Sequence, residues 1–142
     1  MKLFLLLLFC FVGLAPAGSN LVQFAKMIKH ATGKSASSYN GYGCYCGWGG
    51  SKQPVDATDW CCHAHDCCYR RISSGFCSPK VVKYNYSTWG SQITCGSGSA
   101  CQRQACECDR QAVECFRRTA RSYDNRYKNF PNILCKGRSP SC

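Results

Sequence analysis

Residues 61–69 read Cys-Cys-His-Ala-His-Asp-Cys-Cys-Tyr, so four cysteines, two histidines and one carboxylate fall within nine positions. If this stretch is helical, one face is shared by Cys61, His65, Cys68 and Tyr69, because residues three and four apart are neighbours on a helix. A second stretch has the same spacing, and its face is formed by Ala105, Cys108, Asp109, Ala112, Cys115 and Phe116. Each face is small, apolar or cysteine-rich and carries one titratable side chain.

These two titratable residues, His65 and Asp109, lie side by side inside the protein if the cysteines cross-link the two helices. A buried carboxylate is costly unless it is paired, and an imidazole is a suitable partner whose tautomer the carboxylate fixes. The chain has no serine in a Gly-x-Ser-x-Gly setting, so we predict that water is the nucleophile and that His65 is its general base. The alternative is a purely structural His–Asp pair.

The next residue, Asp66, projects about 100° away from His65 around a helix. It can face the glycine-rich segment at residues 45–50, provided that Cys46 is bonded near the start of the helix. Glycine lets backbone carbonyls converge, and Ca²⁺ prefers carboxylate, carbonyl and water oxygens. We therefore predict a calcium site here. Zinc is disfavoured, because the adjacent cysteine pairs point to opposite faces of a helix and an oxidising compartment consumes thiols.

The amino-terminal residues 1–19 have the pattern of a signal peptide, with a positive start, an apolar run at 3–14 and small residues at 17–19. The run is too short to span a bilayer, which disfavours a membrane anchor. We predict a secreted, extracellular protein with one mature domain at residues 20–142. Of the 15 cysteines, Cys10 lies in this signal, and the even remainder predicts up to seven disulfides.

The chain is strongly basic, with a formal net charge of +11. A basic extracellular protein is attracted to anionic surfaces, so we expect anionic phospholipid membranes as partners, with heparan sulfate or a receptor as further candidates. Nucleic acid is disfavoured by the compartment, and we expect a monomer. The alternative is that the charge only aids solubility. Trp48 is a candidate interfacial residue, or else a locally packed one.

The remaining elements follow from spacing and turn signals. We predict an amphipathic helix capped by Asn20 and ended by Gly33, and a second helix over 59–72 capped by Asp56 or Thr58. The other predicted features are a hairpin with strands at 81–86 and 92–94, a helix over about 100–120, a basic tail held by Cys135 and Cys142, and a sequon that makes Asn85 a candidate glycosylation site.

Three segments of the chain, at residues 45–50, 61–69 and 105–109, resemble the signature segments of secreted phospholipase A2. The resemblance covers the whole mature chain, and the cysteine-bearing basic tail resembles group II. It implies a mainly α, disulfide-rich phospholipase A2 fold with an N-terminal amphipathic helix, a calcium-binding loop, two long antiparallel helices and a short β-hairpin. It also implies calcium-dependent interfacial hydrolysis of the sn-2 acyl ester of glycerophospholipids, releasing free fatty acid and lysophospholipid.

The resemblance also implies a role for each site residue. His65 would activate water and Asp109 would orient it, while Tyr69 and Tyr84 would donate hydrogen bonds to Asp109. Calcium would be held by the Asp66 carboxylate and by the carbonyls of Tyr45, Gly47 and Gly49. The Gly47 amide would join the oxyanion site, and an acyl channel would be lined by Leu21, Phe24 and Ile28. Some family members with lysine or serine in the position of Asp66 are inactive, so its presence here predicts an active enzyme.

The same resemblance implies the disulfide pairs Cys44–Cys135, Cys46–Cys62, Cys61–Cys115, Cys67–Cys142, Cys68–Cys108, Cys77–Cys101 and Cys95–Cys106. A different class of function stays open beside the enzyme. The basic chain could bind heparan sulfate, a receptor or a bacterial surface without hydrolysing lipid.

Overall fold

The computed structural model describes residues 19–47 and 49–142, and this part of the chain is mainly α-helical. The α-helices among these residues are α1 (Ser19–Thr32), α2 (Ala57–Ile72) and α3 (Ala100–Arg118). One antiparallel sheet is formed by β1 (Tyr86–Trp89) and β2 (Gln92–Cys95). Short 3₁₀ helices lie at Ala36–Ser38, Ala120–Ser122, Asn125–Tyr127 and Asn132–Leu134. The predicted fold class is confirmed, while residues 1–18 of the predicted signal peptide and Trp48 lie outside the described residues.

The helix ends follow from local capping chemistry. The Asp56 side chain accepts the Asp59 amide at 2.9 Å, which makes Asp56 the N-cap of α2. Helix α1 ends as predicted, where Gly33 takes a φ of +78°. The prediction of Asn20 as the N-cap of α1 is wrong, because Asn20 lies inside the helix and its buried side chain contacts Tyr69 instead.

The hairpin begins later than predicted. The first strand was expected at residues 81–86, but β1 starts at Tyr86, which pairs with Cys95. The Val81 and Val82 amides bond to the Ser78 carbonyl at 3.1 Å, which makes this region a turn. The Tyr84 amide bonds to the Gln23 side chain on α1 at 3.1 Å. The backbone amides before β1 therefore form hydrogen bonds within a turn and to α1, and the sheet is confined to residues 86–95.

Helices α2 and α3 pack against each other and are joined by two disulfides. Cys61–Cys115 and Cys68–Cys108 have Cα separations of 5.7 and 5.6 Å. The residue numbers rise along one helix and fall along the other, so the two helices are antiparallel. All seven disulfides have the pairing that the resemblance implied. Helix α1 also packs on α3, and the core between them includes Met27, Ile28, Val113 and Phe116.

Within the described part of the chain, none of the helices combines the length and the apolar character that crossing a membrane requires.

Candidate active site

The centre of the candidate site is a histidine–carboxylate pair between α2 and α3. His65 Nε2 lies 2.7 Å from Asp109 Oδ1. Asp109 is completely buried, and the His65 side chain is 12% exposed. Because the carboxylate accepts from Nε2, this nitrogen carries the proton in the neutral ring and Nδ1 is the acceptor. The pair thus presents one basic nitrogen that an outside proton donor can use.

Two tyrosines complete the environment of Asp109. Tyr69 Oη and Tyr84 Oη each donate to the carboxylate at 2.6 Å, one to Oδ1 and the other to Oδ2. Burial and the nearby Asp109 charge raise the pKa of both phenols well above the usual value, so both remain protonated donors. The carboxylate has three donors in all, which offset the cost of burying it.

The Asn20 amide extends this network. Its Oδ1 lies 2.8 Å from Tyr69 Oη, and its Nδ2 is buried with no partner among the described residues. The single Tyr69 proton is used in the shorter, charge-assisted bond to Asp109. Rotating the Asn20 amide by 180° lets Nδ2 donate to Tyr69 and gives this buried nitrogen a partner. Asn20 then holds Tyr69 in the orientation that serves Asp109.

Helix α1 covers the imidazole with an aromatic ring. Phe24 stacks on His65 with ring centroids 4.5 Å apart and an angle of 17° between the planes. Of the other two residues predicted to line an acyl channel, Ile28 is buried in the core and Leu21 is 51% exposed. Gln23 fixes Tyr84 to the same helix, because its Nε2 donates to the Tyr84 carbonyl at 2.6 Å. Helix α1 therefore contributes both an apolar cover and a support for the carboxylate.

A cavity of about 540 Å³ lies in the groove between α2 and α3. His65 reaches its wall, and further lining residues include Ala64, Gln111 and Arg118. No residue of α1 lines this cavity. It is therefore distinct from the acyl channel predicted beside Leu21, Phe24 and Ile28.

Residues 44–53, here called the glycine loop, are held against the start of α2. Asp59 is completely buried and accepts the amides of Cys44 and Tyr45 at 2.8 Å each and of Val55 at 2.9 Å. The carboxylate lies so close to Gly43 that an added Cβ there would approach its Cγ to 2.4 Å. Burial raises the pKa of the Asp59 carboxyl, and this effect is larger than that of the three hydrogen bonds, which lower the pKa. Asp59 thus fixes the backbone that carries the predicted calcium carbonyls.

The loop glycines have backbone shapes that other residues seldom adopt. Gly47 has φ +111° and Gly49 has φ +56°, both in the left-handed region that favours glycine. At Gly47 an added Cβ would also approach Asn40 Oδ1 to 2.7 Å. The turns at residues 47 and 49 therefore depend on glycine.

Asp66 lies on the side of α2 that faces the glycine loop. Cys62 is one turn earlier and is bonded to Cys46 in the loop, with a Cα separation of 5.0 Å. Burial raises the pKa of the Asp66 carboxyl to about 6, and no hydrogen bond or ion pair joins it to another described residue. A partly buried carboxylate without a partner suits a cation, so the donor set fits calcium.

Few side chains other than Asp66 are available as ligands in this region. Among residues 19–47 and 49–142, no group of three or more His, Cys, Asp or Glu side chains is arranged to hold a metal. A calcium ion here would rely on one carboxylate and on the backbone carbonyls of Tyr45, Gly47 and Gly49. All four cysteines of residues 61–69 are in disulfides, so none of them offers a thiolate.

Several supporting residues were not predicted from the sequence. Asp59, Asn20 and Gln23 support the site through contacts with distant segments, and no periodic pattern marks them. Asp59 did carry one signal, which is a carboxylate in the first turn of a helix with no basic residue nearby. Asn85 is exposed, as a sequon residue should be, and its Nδ2 donates to the Ser97 carbonyl at 3.1 Å.

The fold and the site together define a small, heavily cross-linked protein with a buried carboxylate–histidine pair next to a glycine loop. A family model described as phospholipase A2 matches residues 21–128. The chain is 53% identical to mouse group IIE secretory phospholipase A2, with 94% of each chain covered. It is 51% identical to the human protein of that name, with 87% of each covered, and 46% identical to human membrane-associated phospholipase A2, with 99% and 98% covered. The chain belongs to the phospholipase A2 family.

Proposed function

We propose that this protein is a secreted, calcium-dependent phospholipase A2 that hydrolyses the sn-2 acyl ester of glycerophospholipids at a membrane surface. Fatty acid and lysophospholipid are the products. The observation that carries the proposal is the 2.7 Å contact between His65 Nε2 and the buried Asp109 carboxylate. This contact leaves Nδ1 as a base for water.

The proton moves along a short path in the proposed reaction. His65 Nδ1 takes a proton from water as the water oxygen attacks the ester carbonyl, and the imidazolium is stabilised by Asp109. His65 then gives this proton to the departing glycerol oxygen, which restores the neutral ring. Tyr69 and Tyr84 hold the carboxylate in place and Phe24 holds the plane of the imidazole. Asp109 stays ionised throughout.

The calcium ligands in this proposal are the Asp66 carboxylate and the carbonyls of Tyr45, Gly47 and Gly49. Bound calcium supplies a Lewis acid that polarises the ester carbonyl. The Gly47 amide is the proposed donor to the developing oxyanion. The positive φ of Gly47 supports this role, because it allows a peptide orientation that L-residues avoid.

A membrane surface is the proposed site of action. The net charge of +11 favours anionic phospholipids, and Leu21 and Val22, each about half exposed at the start of α1, offer apolar contact near Phe24. Trp48 is proposed as a further interfacial residue. Secretion is supported by the seven disulfides, which include every cysteine of residues 20–142, because disulfides form and persist in oxidising compartments. A monomer is proposed, without nucleic acid as a partner.

The proposal is tested with phosphatidylglycerol vesicles and a matched pair of variants. Fatty acid release should require calcium and stop when a chelator is added. His65→Gln should lower kcat by roughly 10²–10⁴-fold, the range for loss of a general base. His30→Gln, which changes an exposed histidine bonded to the Gly90 carbonyl, should leave kcat near that of the parent. Full activity in His65→Gln would refute the proposed chemistry.

A second candidate function is binding without hydrolysis. The exposed basic residues favour anionic partners such as heparan sulfate, a receptor or a bacterial surface. The same His65→Gln variant separates the two functions. Bacterial killing or receptor activation that survives this change belongs to the binding function, whereas an effect that is lost together with hydrolysis belongs to the enzyme.

A further inference from the structure

The segment after Cys135 runs beside the glycine loop and is covalently held at both ends. Cys135 is bonded to Cys44, where the loop begins, and Cys142 is bonded to Cys67, the neighbour of Asp66. Residues 136–142 are here called the tail segment. Its attachments place it along the edge of the loop from which the proposed calcium ligands come.

The middle of the tail segment pairs with the loop backbone. The Lys52 amide donates to Ser139 Oγ at 2.7 Å, and the Gln53 amide donates to the Lys136 carbonyl at 2.8 Å. Gly137 makes this close approach possible, because an added Cβ would lie 3.0 Å from Gln53 Cβ and its φ is +85°. Two successive loop amides therefore have their partners in the tail segment.

Lys52 is the point where the tail segment and the loop interior meet. Its φ of +74° lies in the left-handed region, which a non-glycine residue adopts only when its surroundings hold it there. Its amide is held by Ser139, and its carbonyl accepts the Tyr45 hydroxyl at 2.6 Å. Tyr45 is itself a proposed calcium ligand through its carbonyl. Ser139 is thus connected to the proposed ion site through two hydrogen bonds, one to Lys52 and one from Tyr45 to Lys52.

The tail segment also contacts the helix that carries Asp66. His63 Nε2 lies 3.2 Å from the Pro140 carbonyl, and the His63 ring packs edge-on against Tyr45 with centroids 4.9 Å apart. His63 is one turn before Cys67 on α2. Helix, loop and tail segment are therefore joined by hydrogen bonds as well as by the two disulfides.

We infer that the tail segment is a positioning element for calcium binding, an inference that rests on the proposed function. A loop held in its binding shape loses less conformational freedom when the ion arrives, so its affinity is higher. The tail segment touches neither His65 nor Asp109 in any hydrogen bond among the described residues. Loss of its contacts therefore weakens calcium binding and leaves turnover at saturating calcium close to that of the parent.

The experiment compares Ser139→Ala with Ser141→Ala in the full mature chain. Ser141 is exposed and makes no hydrogen bond to a described residue, so it is a matched control on the same segment. The first measurement is hydrogen exchange of the Lys52 and Gln53 amides without calcium, which should speed up only in Ser139→Ala. The second is the calcium Kd, measured by calorimetry without lipid, which should rise roughly two- to tenfold in Ser139→Ala, the effect of one hydrogen bond.

A second pair of variants tests the covalent attachment. Cys67→Ser with Cys142→Ser releases the far end of the tail segment and should raise the calcium Kd at least as much as Ser139→Ala. Cys77→Ser with Cys101→Ser removes a disulfide that joins neither the loop nor the tail segment and should leave the Kd within about twofold. Ser139→Ala keeps all seven disulfides, so it decides the question even where a disulfide variant does not fold.

The possible outcomes separate this inference from the proposed function. A parent protein that binds no calcium overturns the proposed function. A parent that binds calcium, together with tail variants whose Kd and amide exchange match the parent, overturns only the role of the tail segment. A higher Kd in the tail variants, with kcat at saturating calcium near the parent value, supports both.

Discussion

At the scale of single residues, the site depends on how a buried charge is surrounded. Asp109 is inaccessible to solvent, and its two oxygens accept from His65, Tyr69 and Tyr84. Each donor makes the ionised form less costly to bury. The carboxylate can then orient the imidazole without taking its proton.

Removal of one hydrogen-bond donor to Asp109 should mainly lower the stability of the fold. We expect Tyr84→Phe to lower the free energy of unfolding by about 2 kcal/mol, because it leaves Asp109 Oδ2 buried without a partner. Hydrolysis should fall less than in His65→Gln, since Tyr69 still supports the carboxylate. Chemical denaturation and initial rates on vesicles measure the two effects.

Tyr86→Phe is the control for this change. Tyr86 is a nearby tyrosine whose hydroxyl makes no hydrogen bond to a described residue. The Tyr86→Phe variant should have nearly the same denaturant midpoint of unfolding as the parent. Equal destabilisation by the two substitutions would argue that the ring environment, and not the bond to Asp109, sets the stability.

At the scale of elements, each helix end is decided by a few local groups. The Ser99 hydroxyl accepts the Gln102 amide at 3.1 Å, and the Gln102 side chain accepts the Ser99 amide at 2.8 Å. Gln102 also donates to the Lys83 carbonyl at 2.9 Å. This capping box therefore starts α3 and anchors the chain that leads to Tyr84.

Loss of the cap should destabilise the protein. We expect Ser99→Ala to cost about 1 kcal/mol, the usual effect of removing a capping hydroxyl. Ser97→Ala changes an exposed serine just before the cap, whose hydroxyl bonds to no described residue, and should unfold like the parent. Thermal or denaturant unfolding followed by circular dichroism measures both, and a similar loss in the two variants would contradict a role for the cap.

The helices were predictable from the sequence because each carries its own signal. Periodic apolar residues indicated α2 and α3, and Gly33 marked the end of α1. The first strand was misplaced because alternation at residues 81–86 does not reveal that Val81 and Val82 form a turn and that Tyr84 binds Gln23. Those hydrogen bonds depend on tertiary packing, which a local pattern does not contain.

At the scale of the whole molecule, disulfides fix the relative position of the two helices that carry the pair. Cys68–Cys108 lies next to the site, since Cys68 is one turn after His65 and Cys108 is adjacent to Asp109. Cys77–Cys101 joins the segment after α2 to the start of α3. Cys68–Cys108 is therefore the bond nearer to His65 and Asp109, and Cys77–Cys101 is the more distant one.

Removal of the nearer bond should damage both stability and activity. We expect Cys68→Ala with Cys108→Ala to lose about 2–5 kcal/mol, the usual range for a native disulfide in a small secreted domain. Its kcat should also fall, because only Cys61–Cys115, which lies farther along both helices from His65 and Asp109, then joins α2 to α3. Cys77→Ala with Cys101→Ala should lose stability with a smaller change in kcat, and the opposite order would refute the argument.

The site was predictable from the sequence only as far as side-chain periodicity reaches. Two helical stripes predicted that His65 and Asp109 would meet, and they are 2.7 Å apart. The support from Asp59 and from Ser139 was not predicted, because both accept backbone amides from segments that are distant in sequence or irregular. Such contacts leave no spacing pattern in either partner.

The adjacent cysteines of α2 have a consequence for oxidative refolding. Cys67 and Cys68 are neighbours, yet their partners are Cys142 and Cys108. An isomer in which these two exchange partners contains the same number of bonds and free thiols as the native protein. Cys67 lies about 100° around α2 from Cys68, so a bond from Cys67 to Cys108 would twist the helix locally, one turn from His65, and disturb the His65–Asp109 contact. Mass and thiol titration cannot distinguish the two isomers, so a recombinant preparation needs disulfide mapping before a low specific activity is ascribed to its sequence.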